Sequence, residues 1–316
     1  MKETLFYNPF AAECVAVSRL IVIFLLFFCA SAQADVRVLT SIKPLQLIAA
    51  AVQDGVGMPE VLLPPGASPH NYALRPSDVR RVTEVDLLYW IGPDMESFLP
   101  RVLKSRSLPT VAVQTLPGLT LRHFGEGEAH ADGDEHDHDH QPGSLDAHLW
   151  LLPANARVIA ERMAVDLAAA DPTNAARYQA NLMAFSERLT ALDQRLKTRV
   201  AGVAGKPYFV FHEAFDYFES AYGLQHAGVF SIASEVQPGA QHVAAMRERL
   251  QQAGPTCVFS EPPLRPRLIS TLSEGLPVRL AELDALGGKE IAVNAQGYEQ
   301  LLETLGNELV GCLEAL

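Results

Sequence analysis

Basic charge is outweighed in this chain, cysteine is rare, and no tandem repeat of fixed period is present. Lysine and arginine total 25 against 37 aspartates and glutamates, a net charge of −12. Such an acidic protein is not built for nucleic acid or an anionic lipid surface, but it suits cationic ligands. Apolar runs are short as well. The stretch from Leu20 to Ala30 falls well below the roughly 20 residues that a membrane-spanning helix needs. None of the four cysteines forms a CxxC pair, and no HExxH appears. A thiolate zinc module and a helix-borne zinc-protease motif are therefore both missing.

What the front end does contain is Arg19, an apolar run, and Ala32-Gln33-Ala34, a small-x-small cleavage signal. Residues 1–34 read as an export signal cleaved after Ala34, in preference to a membrane anchor, and the remainder as an exported protein. Phe27-Phe28 before Cys29 lacks the small residues that lipid attachment prefers. The leader holds Lys2 and Arg19 against Glu3 and Glu13, so its removal leaves the charge at −12. It also takes Cys14 and Cys29, leaving Cys257 and Cys312 in an oxidising compartment, where they are expected to pair as a disulfide rather than stay two buried thiols.

From Asp35 onward, short β-rich runs alternate with amphipathic helical stretches, which predicts parallel α/β units. VRVLT (36–40), EVLLP (60–64), DLLYWIG (86–92) and TVAVQTL (110–116) read as strands. PLQLIAAAVQDG, RPSDVRRVTEV and MESFLPRVLKS between them read as helices. A helix is expected over 153–170, and Asp171-Pro172 looks like an N-cap with proline in the first turn. Leu182, Phe185, Leu189, Leu192, Leu196, Val200 and Val203 recur at steps of three and four, predicting a long helix over 172–203. After Gly205, PYFVFH, TCVFSEP and PVRLAEL are strand-like, with helical stretches between and after them. The expected organisation is an N-terminal α/β lobe (35–171), a linking helix (172–203) and a C-terminal α/β lobe (204–316).

Residues 123–143 interrupt the first lobe. GEGEAHADGDEHDHDHQPG (125–143) carries His130, His136, His138 and His140 among seven acidic residues, with no apolar periodicity. It reads as a loop that captures or senses cations weakly, since ordering it costs about 1–2 kcal/mol per residue. Three other histidines fall at strand ends or loops, where open α/β sheets gather ligands. His70 follows EVLLPP, His148 follows the acidic tract, and His212 ends PYFVFH. Their wide spacing means that only the fold could unite them. His123, His226 and His242 have no such placement. Glu213, beside His212, reads as the cap of a following helix, because HEAF lacks the second ligand of a catalytic zinc motif.

LLPPGASPHNYALRPSDVRRVTEVDLLYWIGPDMESFL resembles the ZnuA family, zinc-binding proteins of bacterial ABC importers. The likeness continues through DAHLWLLP, YFVFHEAFDYFESAYGL, EVQPGAQH, CVFSEPPLRP and LDALGG. It implies two α/β lobes, each a parallel sheet flanked by helices, joined by one rigid helix with metal in the cleft. His70, His148 and His212 match the family's three imidazole ligands. Three neutral imidazoles suit Zn²⁺, whereas Mn²⁺ prefers more oxygen. Manganese- and iron-binding relatives place a glutamate where this chain has His212. Some family members have a glutamate before the first histidine, where this chain has Pro69. Asp284 in LDALGG matches an aspartate ligand of family members, and the resemblance implies it, or a water, as fourth ligand. The expected partners are a membrane permease and its ATPase, with the carrier a monomer. The alternatives are a manganese or iron carrier of the same class, or a zinc-dependent hydrolase.

Overall fold

The computed structural model describes residues 35–125, 143–231, 239–262 and 267–316. The expected export signal and His130, His136, His138 and His140 lie outside the described residues. Among the described residues, no helix is long and apolar enough to cross a membrane.

Two four-stranded parallel sheets form the frame. The first contains β1 (Val38–Thr40), β2 (Glu60–Val61), β3 (Leu87–Trp90) and β4 (Thr110–Ala112), in the order β2-β1-β3-β4. The second contains β5 (Tyr208–His212), β6 (Gly228–Ser231), β7 (Thr256–Ser260) and β8 (Val278–Glu282), in the order β6-β5-β7-β8. The two sheets therefore share one topology, second-first-third-fourth, although no sequence period betrays it. In each, the strand order reverses between the first and third strands, and a crevice opens there beyond the carboxyl ends. Residues of β1, β3, β5 and β7 are almost all buried, as parallel strands covered on both faces must be.

Helices cover the sheets. α1 (Lys43–Val52), α2 (Pro76–Glu84), α3 (Pro100–Leu103) and α4 (Pro153–Ala170) belong to the first half. α5 (Ala175–Ala201) follows a 3₁₀ turn at Pro172–Asn174, whose Asn174 N–H is accepted by the Asp171 side chain. At ~1.5 Å per residue, α5 is about 40 Å long. Its predicted stripe, from Leu182 through Phe185, Leu189, Leu192 and Leu196 to Val200, is buried. α6 (Asp216–Tyr222), α7 (Ala240–Ala253), α8 (Arg267–Ser273) and α9 (Gly297–Glu314) complete the second half. α5 packs against α4, α1 and α9, and α9 reaches across to α1, so one apolar core runs through both halves. Cys257 on β7 is bonded to Cys312 on α9, tying the second sheet to this helix layer.

Four elements differ from expectation. The strand expected over 60–64 is confined to Glu60–Val61, where it pairs with Leu39 and Thr40 of β1 before the chain turns toward Pro64-Pro65. The helix expected over MESFLPRVLKS is confined to Pro100–Leu103. Pro100 has no N–H and its ring crowds the carbonyl of Glu96, so a helix can begin at it but not run through it. The Glu96 side chain instead turns back to accept from Ile91 and Gly92 N–H. The strand expected over 110–116 stops at Ala112, and Val113–Thr115 forms a 3₁₀ turn. β6 went unpredicted, being four residues that start at a glycine. A Cβ on Gly228 would lie 3.1 Å from the Phe209 ring, a tight contact that glycine avoids.

Candidate metal centre

The crevice between the halves is a cavity of about 890 Å³, and the three predicted histidines meet in it. Each arrives by a different route. His212 is the last residue of β5, at the point where the second sheet reverses its strand order. His70 lies in the proline-rich loop after β2, its N–H held by Ser68 Oγ at 3.3 Å. His148 stands at the mouth of the 3₁₀ turn Leu149–Leu151 that leads into α4. The ring centroids are 5.0 to 5.4 Å apart, and one nitrogen from each ring lies within 4.8 Å of the others.

Two carboxylates that the sequence reading overlooked orient these rings. Asp146 Oδ1 accepts from both the His148 backbone N–H (2.9 Å) and Nδ1 (2.8 Å). Asp146 is 1% exposed and His148 3%, so this is a buried arrangement that fixes the tautomer and turns Nε2 outward as an acceptor. Glu261, just past β7, sets its two oxygens 3.3 and 3.5 Å from His212 Nδ1. Burial alone would lower the His212 pKa, but the Glu261 charge and hydrogen bond, aided by Asp146 and Glu213, hold it above its ordinary value. The signal for Glu261 was in place: it follows the strand adjacent to the one that ends in His212, and strand ends are where such sheets place their chemistry.

Asp284 lines the same cavity, two residues after β8, yet it does not join the group of imidazole nitrogens. Its Oδ1 accepts from Leu286 N–H and Gly287 N–H, both at 2.9 Å, closing a turn. Gly287 has a φ of 76°, where a Cβ would be strained and would also meet Leu301 at 3.1 Å. Burial raises the Asp284 pKa against the pull of those two hydrogen bonds. Across the cavity, Lys43 at the start of α1 donates to Gly288 O, and Trp150 Nε1 donates to Ala285 O at 2.9 Å. Tyr298 of α9 holds the Trp150 carbonyl at 2.5 Å. The turn containing Asp284 is thus held by two donors of the first half, one of them fixed in turn by α9.

Glu213 is not a helix cap. α6 opens at Asp216 with Phe215 at the N-cap position and no side-chain cap bond. His123 forms an isolated antiparallel bridge with Leu145, closing the base of the acidic tract. His226, unplaced in the sequence reading, sits against Glu219 and Asp216. The side chain of His242 lies outside the described residues.

The family model described as the periplasmic zinc-uptake complex component A, ZnuA, matches residues 38–312. The chain belongs to the ZnuA family. The high-affinity zinc uptake system protein ZnuA of Yersinia pestis is 40% identical over 294 residues, spanning 89% of this chain and 92% of its own. That of Brucella abortus is 35% identical over 321 residues, spanning 92% and 96%. A crystal structure of ZnuA shares the fold, with a TM-score of 0.73 at 22% identity over 87% of this chain and 98% of that one. ZnuA-family proteins are solute-binding components rather than enzymes, which agrees with a cluster of imidazoles whose neighbouring carboxylates serve to orient the rings.

Proposed function

We propose that this protein captures Zn²⁺ in the periplasm with His70, His148 and His212 and hands it to a membrane permease driven by an ATPase. The convergence of three imidazoles from three separate segments carries this reading. A tetrahedral zinc at ~2.0–2.1 Å from each nitrogen needs them roughly 3.4 Å apart. Small rotations of rings now within 4.8 Å of one another supply that. Water takes the fourth position, while Asp284 shapes the adjacent turn and adds negative charge to the cavity. A donor set of three nitrogens favours zinc over manganese, which prefers more oxygen.

The residues before Asp35 serve as the export signal, and the 123–143 tract collects zinc near the cleft through His130, His136, His138 and His140. Isothermal titration of His70→Ala, His148→Ala and His212→Ala tests the assignment, with a loss of tight zinc binding expected in each. Asp284→Asn is expected to weaken binding by less than about tenfold, the lower end for groups that support a metal without ligating it. Tight zinc binding that survives the combined histidine substitutions would overturn the assignment. Restoration of growth in scarce zinc by the wild-type chain, and its failure with His212→Ala, tests delivery.

A further inference from the structure

We propose that Asp216, Glu219 and His226 form a second divalent-cation site, separate from the three-imidazole centre. Asp216 and Glu219 lie three residues apart on α6 and so share one face. Gly223, with a φ of 67°, ends α6 and lets the chain fold back, which brings His226 over that face. His226 Nδ1 is 3.0 Å from both Glu219 oxygens and 4.0 Å from Asp216 Oδ1. One ligand atom from each of the three residues lies within 4.8 Å of the others. The Glu219 and His226 side chains are each 6% exposed and Asp216 is 18% exposed.

Two features favour an ion over a closed ion pair. Asp216 Oδ1 is buried and accepts no hydrogen bond, a costly condition for an anionic oxygen. Glu219 Oε1, by contrast, already accepts from Tyr208 OH at 2.6 Å. The charge count points the same way. A protonated imidazole balances one of the two carboxylates, whereas a doubly charged ion balances both. Arg122 adds positive field at Asp216, but Asp146 opposes it there and Glu213 acts with the carboxylates on His226. Two oxygens and one nitrogen make a set more tolerant of oxygen-preferring metals than three imidazoles. Binding would release the His226 proton to solvent and put the metal in its place.

Anomalous diffraction at the zinc edge, on crystals of the full chain soaked in zinc chloride, locates ions directly. The expected map has a peak between Asp216, Glu219 and His226 that vanishes in Asp216→Asn. A peak confined to the three-imidazole centre, at zinc levels that saturate the protein in solution, would overturn the proposal. In equilibrium dialysis, Asp216→Asn/His226→Gln should bind one zinc fewer per chain than wild type, and an unchanged number would count equally against it. If that variant fails to fold by circular dichroism, the wild-type map decides. The peaks are independent, so failure here leaves the imidazole centre untouched and the reverse also holds.

Discussion

One buried oxygen of Asp146 accepts two hydrogen bonds from His148, and this determines which nitrogen faces the cavity. Replacing it by asparagine keeps the shape but removes the charge that makes the imidazole a better ligand. Zinc affinity in Asp146→Asn is expected to fall about 10–100-fold with the fold intact by circular dichroism. Protons compete with zinc for the same nitrogens, so affinity should decline as pH drops through the ordinary histidine range near ~6.5. The raised pKa of His212 starts that decline earlier on the alkaline side. Titrations across pH 5 to 8 with no change in affinity would contradict imidazole ligation. His226 supplies a separate effect in metal-free protein. Burial would lower its pKa, but Glu219 and Asp216 lift it from 6.5 to about 9. Because the folded value exceeds the unfolded one, its stabilising contribution is full below pH 6.5 and fades as pH rises through about 9. Urea melts should show that slope, and His226→Gln should flatten it.

At the scale of elements, the acidic tract and the structured core carry different physics. The tract's flanks are pinned: His123 bridges Leu145, Arg122 N–H donates to Tyr217 OH, and Tyr217 OH donates to Asp146 O, the last two at 2.9 Å. Deleting 125–141 should therefore leave the three-imidazole centre and its tight binding in place while removing weaker zinc equivalents. Zinc titration and stoichiometry on that variant check the division, and loss of the tight site would refute it. Most strands were legible as short apolar runs bounded by turn residues, because parallel strands are buried on both faces, and the long helices from apolar faces that repeat at about 3.6 residues. α3 and β6 were not. Proline punctuation truncated the one, and the other opens on a glycine, a residue depleted in strands.

For the whole molecule, the shared apolar core and the α9 layer argue for a stiff frame. The disulfide between Cys257 and Cys312 closes a separation of 55 residues, a loop whose constraint is worth about 4 kcal/mol in the chain-entropy model. Cys257→Ser/Cys312→Ser should lose stability on that order in denaturant melts. Zinc affinity should change little, since neither cysteine lines the cavity.

The sequence by itself determined the parallel α/β class, the long helix and the residue types able to hold a metal, since hydrophobic period and side-chain chemistry are local properties. His70, His148 and His212 were visible as ligand types at strand ends or loops, and their resemblance to family ligands named the set. Only the tertiary structure decided that Asp146 and Glu261 orient two of those rings, that Asp284 spends an oxygen on its own turn, and that His226 lies against Asp216 and Glu219. Those relations depend on which strand ends become neighbours, which is set by strand order and by packing across the core, and neither is written in any short window of the chain.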